Sequence, residues 1–416
     1  MTVASPFLSL RNLRFARLYA AQTISQIGDV LTWVGLALLA AQLAGPTHAP
    51  AVLAIALTIR VSAFVLLSPL AGVLADRVNR RTVLMLCHFG RMLVLGGMFF
   101  VTQIWQIYVL MFLLNALTAF FTPTNQATIP LVVGREDARP AFALSSATTE
   151  LLGIVGPGLA GILAAWLGTR TLFALDAVSF FLSGLLILTL PALRASTEPV
   201  ERSTWTDVRD GTARLWRDPP IRFSLLMELV AAIAGAMILT VTISRIEGGL
   251  NLGEAQYGWV MAAYGVGAAL ASLVVGAAGK RVPLTRFIAL GAVVTSLAIF
   301  PGDLLSLPGL LGFWLLAGIG QNWVNLPTET LLAERTEEAA QGRVYGAHFA
   351  WSHLWWAFAY PIAGVLGTQF PDRAFLLGGG LATLLLIGVW LLHRTRLSDH
   401  SAGEQRTAVQ HSSQGK

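Results

Sequence analysis

The stretch "GVLADRVNRRTVL", residues 72–84, places one aspartate and three arginines between two long apolar runs. The whole chain of 416 residues is 55% hydrophobic and only 12% charged, whereas soluble globular proteins carry about 25% charged residues. A water-soluble fold could not cover so much apolar surface, but a lipid bilayer removes the need to cover it. The composition therefore predicts a polytopic membrane protein, in which the quoted stretch is a short polar connection between two spans.

Twelve segments are predicted to cross the membrane as α-helices. Each is close to, or longer than, the roughly 20 mainly apolar residues that a helix needs to cross the hydrocarbon core. Each is also too long and too uniformly apolar for a strand of a membrane barrel. The segments lie at 16–42, 51–75, 82–104, 106–124, 142–168, 172–191, 221–246, 256–279, 285–304, 306–327, 343–369 and 373–393. The predicted fold class is an all-α membrane protein with twelve transmembrane helices.

A long polar connection divides these spans into two sets of six. The predicted parts are an N-terminal six-helix bundle at 1–191, a cytoplasmic central loop at 192–220, a C-terminal six-helix bundle at 221–393 and a disordered cytoplasmic tail at 394–416. The later part of the loop is predicted to form a short amphipathic helix. The segments "GVLADRVNRR" and "GAAGKRVPLT", after spans two and eight, both begin with glycine and share an Arg–Val step. Such a duplication is typical of transporters built from two related bundles.

Basic residues are concentrated in alternate loops. The loops after spans two, four, six, eight and ten contain Arg77, Arg80, Arg81, Arg135, Arg139, Arg194, Arg202, Arg209, Arg214, Arg217, Lys280, Arg281 and Arg335. The other loops contain only Arg170, Arg245 and Arg373. Because short loops rich in Lys and Arg stay in the cytoplasm, this pattern predicts that both termini are cytoplasmic. Basic residues spread over many loops do not indicate a nucleic-acid partner.

The connection after span two resembles the signature of the major facilitator superfamily, Gly-x-Leu-Ala-Asp-Arg-x-Gly-Arg-Arg. The matching residues are Gly72, Leu74, Ala75, Asp76, Arg77, Arg80 and Arg81, and Asn79 stands where glycine is usual. The resemblance implies the major facilitator fold, with two six-helix bundles in a bacterial inner membrane. It also implies a conformational latch formed by Gly72, Asp76, Arg77, Arg80 and Arg81. Alternatively, the arginines only enforce the topology, and both interpretations can hold together.

Span five contains a second family feature, "GIVGPGLAG" at residues 153–161. It is similar to the Gly-Pro motif of exporters in the superfamily, with Gly153, Gly156, Pro157 and Gly161 at the matching positions. An ordinary packing face of small residues is the alternative. The segments "QTISQIGDVLTWVGLALLA" and "FALDAVSFFLSGLL" resemble the bacterial efflux branch that includes enterobactin, macrolide and nickel-resistance exporters.

The resemblance implies a secondary active transporter, an antiporter rather than an enzyme, that works by alternating access and needs no cofactor. Its expected partners are the lipid bilayer, protons and a small organic substrate, either drug-like or siderophore-like, and the chain is expected to act as a monomer. Export of nickel or another divalent cation is the alternative, and an intramembrane enzyme is a remote one. Residues 107–122 of span four lack the arginine of many proton-coupled exporters.

Charged residues inside spans are costly and mark candidate functional sites. Asp29 lies about 18 Å beyond Arg17 at 1.5 Å per residue, near the middle of the membrane, and is predicted to couple transport to protons. Glu150 in span five is a second candidate, and Arg60 is the expected partner of one of these two acids. A structural ion pair is the alternative role for Asp29.

Three other charged residues are predicted to have lesser roles. Arg91 is interpreted as structural because span three is usually peripheral in this fold. Asp176 is expected near the outer face, paired locally, and Glu228 near the lipid headgroups.

Polar and aromatic residues of other spans are candidates for the substrate cavity. They are Trp33, Asn115, Asn322, Asn325, His353 and Trp355. His348 and His353 are weak candidates for metal ligands, because residues five apart on a helix point about 140° from each other. A shared metal ion would need a further ligand from another span, so no metal site is predicted.

Overall fold

The structure, a computed structural model, describes residues 6–77, 79–134, 137–193, 205–337 and 340–392. Every regular element within these ranges is a helix. The N-terminal half contains α1 Leu13–Ala44, α2 Ala49–Arg77, α3 Arg80–Phe99, α4 Ile104–Val133, α5 Ala138–Leu167 and α6 Thr169–Leu188. The C-terminal half contains α7 Trp205–Arg217, α8 Pro219–Ile243, α9 Glu254–Ala278, α10 Leu284–Ile299, α11 Leu307–Arg335, α12 Gln341–Gln369 and α13 Ala374–Leu392.

The twelve long helices, all but α7, correspond one to one to the predicted spans. Two of them extend about two turns beyond the predicted end, since α4 ends at Val133 and α11 at Arg335. In α4 the extension runs through the polar sequence "TPTNQAT", where the hydroxyls of Thr122, Thr124 and Thr128 donate to backbone carbonyls four residues earlier. A span predicted from apolar residues ends before such a polar turn, whereas the helix itself continues through it.

Nine helices within the described residues are long and apolar enough to cross a membrane by length and composition alone. Of the remaining three, α10 has only 16 residues, and α11 and α12 contain many polar side chains. Those polar groups form contacts with neighbouring helices, as with Asn322 on α11 and His348 on α12. The lower hydropathy of α11 and α12 therefore reflects contacts inside the protein.

Each half packs around its own helices, and two seams join the halves. In the N-terminal half α1 packs on α5 and α6, while α3 packs on α4 and α6. In the C-terminal half α11 packs on α9 and α10, and α8 packs on α12. The seams are formed by α5 with α9 and by α2 with α12. Both seams bring glycines against the partner helix, which allows the close approach that membrane helices use.

One end of the bundle carries the arginine-rich connections, and we call it the basic end. There Arg80 donates from Nη1 to the Ala127 carbonyl at 2.6 Å, and Arg81 from Nη2 to the Leu188 carbonyl at 2.6 Å. Both bonds hold the start of α3 to other helices of the same half. Asn79 has φ −58°, so it needs no left-handed backbone in the place of glycine. Its side chain instead caps α3 by accepting from the Arg81 amide at 3.1 Å.

The later part of the central loop forms α7, a 13-residue amphipathic helix at the basic end, as predicted. It lies against α12, where Asp210 pairs with Arg343 at 3.0 Å and Trp216 meets Trp351 at a ring distance of 5.2 Å. Gly211 permits this contact, because a Cβ there would lie 2.2 Å from the Arg343 carbonyl oxygen. The central connection is thus tied to the C-terminal half.

Candidate functional site

A cavity of about 120 Å³ lies within the N-terminal half, between α1, α2 and α4. Its lining residues are Asp29, Thr32, Trp33, Leu36, Arg60, Met111, Leu114, Asn115 and Thr118. The four residues from α1 are spaced three, four and seven positions from Asp29, so they occupy one face of that helix. Four residues selected from the sequence, Asp29, Trp33, Arg60 and Asn115, therefore share one cavity.

Arg60 and Asp29 are the charged groups of this cavity. The guanidinium carbon of Arg60 lies 4.2 Å from the centre of the Trp33 ring, a distance that gives a cation–π contact. The charges of Arg60 and Arg91 both act on the Asp29 carboxylate. Of the two acids proposed as partners of Arg60, Asp29 is the one that lines the same cavity.

Asp176 lies beside this cavity wall and is fully buried. Thr32 donates from Oγ1 to Asp176 Oδ2 at 2.5 Å, and Ser179 from Oγ to Oδ1 at 2.9 Å. A Cβ on Gly28 would lie 1.9 Å from Asp176 Oδ1, so glycine is what lets this acid approach α1. Asp176 is seven residues beyond the start of α6, about 10 Å along the helix, where Ser179 is its local partner and Thr32 its partner on α1.

Arg91, which was interpreted as structural, belongs to α3, the helix that packs on α4 and α6. Its side chain is buried, with the guanidinium carbon 4.3 Å from the Phe121 ring and 5.2 Å from the Phe180 ring. Its charge acts on both Asp29 and Asp176. Asp29 therefore lies within range of the charges of Arg60, Arg91 and Asp176, and buried charges of this kind need an opposite charge nearby.

Glu150 lies apart from this network. Its side chain is exposed on α5, and it is not among the residues that line the cavity. The residue directly before it, Thr149, accepts a hydrogen bond from Gln26 Nε2 on α1 at 2.9 Å. Glu150 was selected because of its depth in span five. Its side chain points in a different direction around α5 and does not line the cavity that contains Arg60.

The Gly-Pro motif of span five lies at the α5–α9 seam. A Cβ on Gly161 would be 2.6 Å from the Gly258 Cα, and one on Gly156 would be 2.4 Å from Val30 Cγ1. On the facing helix, a Cβ on Gly258 would lie 2.8 Å from the Pro157 carbonyl oxygen, and one on Gly265 2.7 Å from that of Gly153. Gly161, Gly258 and Gly265 thus bring the backbones of the two halves into direct contact, whereas Gly156 packs against α1 of its own half.

A hydrogen-bonded group joins the halves at the end opposite the basic end. Gln42 on α1 donates from Nε2 to Thr169 Oγ1 at 2.7 Å and to Glu254 Oε1 at 3.1 Å. Thr169 donates in turn to the same Glu254 oxygen at 2.7 Å. At the same end, a Cβ on Gly367 of α12 would lie 2.7 Å from Pro50 of α2. The two halves are therefore in contact at this end.

Two cavity candidates of the C-terminal half form helix contacts instead. Asn322 Nδ2 donates to the Ala268 carbonyl at 2.6 Å and to Ser272 Oγ at 2.8 Å, which binds α11 to α9. Trp355 Nε1 donates to the Leu225 carbonyl at 3.0 Å, which binds α12 to α8. Neither residue lines the cavity of the N-terminal half. Polar side chains inside a membrane also serve to join helices.

Asn325 and His353 likewise lie outside the cavity lining. Asn325 is exposed and accepts a long hydrogen bond, 3.4 Å, from Gln321. The His353 ring lies at the α2–α12 seam, 6.2 Å from the Phe64 ring, and its Nδ1 is 2.8 Å from the Phe349 carbonyl oxygen.

The two histidines considered as metal ligands do not share a site. His348 Nε2 lies 3.0 Å from both carboxylate oxygens of Glu228, whereas His353 is bonded to its own helix. In the described part of the chain, no group of three or more His, Cys, Asp or Glu side chains is placed to hold a metal ion. The sequence predicted a position near the lipid headgroups for Glu228 and did not predict its contact with His348.

Three residues of the predicted latch, Gly72, Asp76 and Arg77, lie where α2 reaches the basic end. Their side chains lie outside the described residues. The latch stays a prediction at these positions, while Arg80 and Arg81 hold helices together within the N-terminal half.

The hydrogen bonds of Asn322 lead to a stability prediction. Asn322→Leu is expected to lower the free energy of unfolding by about 0.6–1.7 kcal/mol, from the average to the largest value found for hydrogen bonds between membrane helices. The reason is that the substitution removes both bonds to α9 while it keeps an apolar side chain of similar size. Denaturation of the purified protein in detergent measures the change. Asn325→Leu is the control on the same helix, and an equal loss in both variants would contradict the assignment.

The fold defines the class of this protein, a multi-pass membrane transporter with two six-helix bundles. The chain belongs to the transmembrane secretion effector family of the major facilitator superfamily, whose model matches residues 4–411. Curated relatives and structural neighbours are transporters, so the protein is a transporter and not an enzyme.

Two relatives cover most of the chain. The uncharacterised transporter YfiS of Bacillus subtilis is 27% identical over 394 residues, which is 92% of this chain and 93% of YfiS. The enterobactin exporter EntS of Escherichia coli is 28% identical over 344 residues, which is 77% of this chain and 78% of EntS.

Solved structures agree in fold at low identity. A variant of the nucleoside transporter NupG matches with a TM-score of 0.75 at 13% identity, over 91% of this chain and 99% of NupG. A bacterial homologue of the human lysosomal transporter Spinster, in an inward-facing and unoccupied conformation, matches with a TM-score of 0.74 at 13% identity, over 94% of this chain and 98% of the homologue. These similarities establish the major facilitator fold.

Proposed function

We propose that the protein exports a small organic molecule from the cytoplasm in exchange for protons, by alternating access between its two halves. The observation that carries this proposal is the cavity in which Asp29, Arg60 and Trp33 meet. An acid and a cation that share a cavity inside a membrane span are the usual mark of a substrate or proton pathway. The similarity to an exporter of enterobactin supports the direction of transport.

The cavity accounts for exchange because proton and substrate compete for the same oxygens. A deprotonated Asp29 can accept a hydrogen bond from a hydroxyl or ammonium group of the substrate. A proton on the carboxylate removes this acceptor and its charge. In each half of the transport cycle, the cavity therefore carries either the substrate or the proton.

An aromatic substrate fits the lining of the cavity. The Trp33 ring offers a stacking surface, and the Arg60 guanidinium beside it supplies hydrogen-bond donors for a phenolate or carbonyl oxygen. The volume of about 120 Å³ accommodates a single ring, whereas sites for whole drug-sized molecules have about 300–1,000 Å³. We therefore propose that one ring of the substrate enters this cavity and that the rest of the molecule lies between the two halves.

Alternating access is proposed to work at the two seams. With the basic end placed in the cytoplasm, the Gln42–Thr169–Glu254 group and the glycine contacts of α5 with α9 lie toward the outside. They would hold the outer end closed and would separate when the substrate is released. Asp76 with Arg77, at the cytoplasmic end, is proposed to stabilise the opposite state.

Efflux from a sensitised host that expresses the chain tests this function. Nickel, cobalt, a macrolide, a dye and a catecholate siderophore are compared side by side, with and without a protonophore. Extrusion of an aromatic organic compound that stops with the protonophore supports the proposal. Extrusion of nickel or cobalt alone would replace it with the divalent-cation alternative, and extrusion that survives the protonophore would remove proton coupling.

A further inference from the structure

The C-terminal half contains a second group of ionisable side chains, separate from the Asp29 cavity. Glu228 on α8, Glu329 on α11 and His348 on α12 meet about two turns from the basic end. His348 Nε2 lies 3.0 Å from both oxygens of Glu228, and His348 Nδ1 lies 3.7 Å from Glu329 Oε1. We name these three residues the C-terminal triad, and we propose that it is a second proton-binding site, with the proton carried by His348.

The hydrogen-bonding capacity of the imidazole ring supports this proposal. A neutral imidazole has one N–H and one acceptor nitrogen, whereas an imidazolium donates from both nitrogens. Since each ring nitrogen of His348 faces a carboxylate, a neutral ring would turn a lone pair toward one of them. The imidazolium satisfies both sides. It leaves the triad with a net charge of −1, where the neutral ring would leave −2.

Burial strengthens the argument. The side chains of His348 and Glu228 are only 6% and 10% exposed, and a carboxylate so far removed from water is costly unless a cation is paired with it. His348 is a basic group in contact with Glu228. The proton on His348 therefore stabilises the buried Glu228 charge as well.

Other titratable groups lie close to the triad. On α12 itself, Tyr345 lies within the influence of Glu329. His353 is bonded to the Phe349 carbonyl and lies within the influence of both Arg60 on α2 and His348. On α7, which touches Ala347 through Gly211, Asp210 is paired with Arg214 at 3.2 Å and with Arg343 at 3.0 Å. Glu228 and Glu329 are the groups that act on His348.

The exposure of Glu329 indicates how a proton reaches the site. The Glu329 side chain is 56% exposed, in contrast to its two buried partners. A proton from water can bind a Glu329 oxygen and pass to His348 Nδ1, and the reverse step returns it to water. No other bond is formed or broken.

Protonation of the triad also bears on the α2–α12 seam. The His348–Glu228 contact ties α12 to α8, and further along α12 a Cβ on Gly364 would lie 2.5 Å from Ala54 on α2. Loss of the proton would weaken the tie to α8 and free α12 to move against α2. This use in transport rests on the proposed proton exchange, whereas the proton site itself does not.

Nitrogen NMR of the histidine side chains tests the site without any substrate. The chain contains seven histidines, and the purified, ¹⁵N-histidine-labelled protein is reconstituted in lipid nanodiscs near neutral pH. His348→Gln identifies the His348 signals, and His353→Gln is the matched control on the same helix. We expect His348 to give the paired signals of an imidazolium in the native protein and in His353→Gln.

Glu228→Gln and Glu329→Gln supply the decisive comparison. Removal of the buried Glu228 charge is expected to abolish the imidazolium signals of His348 at the same pH, and Glu329→Gln to reduce them. Because Glu329 is half-exposed, its variant reports on the site even where Glu228→Gln fails to fold. A neutral His348 in the native protein, or imidazolium signals unchanged in both folded variants, would overturn the proposal. An imidazolium in a protein whose efflux ignores a protonophore would instead overturn the proposed coupling and leave the site intact.

Discussion

Asp29→Asn is expected to abolish proton-driven export while the protein still folds and inserts into the membrane. Asparagine keeps the size of the side chain but can neither bind the exchanged proton nor balance Arg60 and Arg91. Two ligands whose binding is linked through one protein commonly influence each other by about 5–150-fold. We expect the acceleration of export by a proton gradient to fall by a factor in this range, to near the rate without a gradient.

Proteoliposomes with an imposed pH gradient measure this change. Glu150→Gln is the matched control, because Glu150 is a carboxylate of a neighbouring helix that is exposed and outside the cavity. Its transport is expected to keep the native response to the gradient. Should Asp29→Asn retain that response while Glu150→Gln loses it, the coupling acid would be Glu150 and the assignment to the cavity would be wrong.

Gly161→Ala is expected to shift the protein away from the conformation in which α5 and α9 touch. A Cβ at this position would lie 2.6 Å from the Gly258 Cα and 3.0 Å from the Glu254 carbonyl oxygen. Both obstacles are backbone atoms, so no side-chain rotation relieves the clash. Overpacking of this kind costs about 1–3 kcal/mol, which we expect to lower the population of the closed seam and to slow transport.

Spin labels on α5 and α9 report this shift as a longer distance. Trp166 and Trp259 are exposed residues of these two helices, so Trp166→Cys and Trp259→Cys carry the labels, with Cys87→Ala to remove the native thiol. Gly153→Ala is the control on α5, because no described atom outside its own helix backbone and chain neighbours lies within 4 Å of a Cβ there. Equal distances between the two labels in the labelled parent protein, in Gly161→Ala and in Gly153→Ala would show that the seam tolerates the methyl group.

The lengths of the apolar segments were sufficient to predict the helices, because a helix needs about 20 mainly apolar residues to cross the membrane whichever helices it packs against. It also marked Asp29, Arg60, Trp33 and Asn115 as unusual residues of separate spans. Their common cavity depends on how α1, α2 and α4 rotate against each other. That rotation is decided by packing between helices and is not visible in any one of them.

Asp176 and Arg91 show why the rest of the site was missed. Position along a span gives the depth of a residue in the membrane but not the direction in which its side chain points. Gly28 is the local signal that could have located Asp176, since a glycine directly before Asp29 leaves room for a side chain from another helix. In the C-terminal triad, Glu228 and His348 are 120 residues apart, so only the fold brings them together.

The polar residues of α11 and α12 show a different limit of the sequence. Their density predicted a substrate cavity at Asn322 and Trp355; both side chains bond to neighbouring helices, and their role in a cavity stays a prediction. A polar group in lipid must find a partner, and a helix backbone serves as well as a ligand does. A polar residue within a span therefore indicates that a partner exists, but not whether that partner is another helix or a ligand.

Proton release on addition of substrate tests the central claim most directly. Inside-out membrane vesicles that contain the protein are acidified within and carry a fluorescent pH indicator. When an organic compound that the chain extrudes is added outside, we predict that protons leave the vesicle as the compound enters, and that Asp29→Asn vesicles show no such release. Uptake of the compound without proton movement, or equal proton release in Asp29→Asn, would contradict a proton-coupled exporter with Asp29 in its cavity.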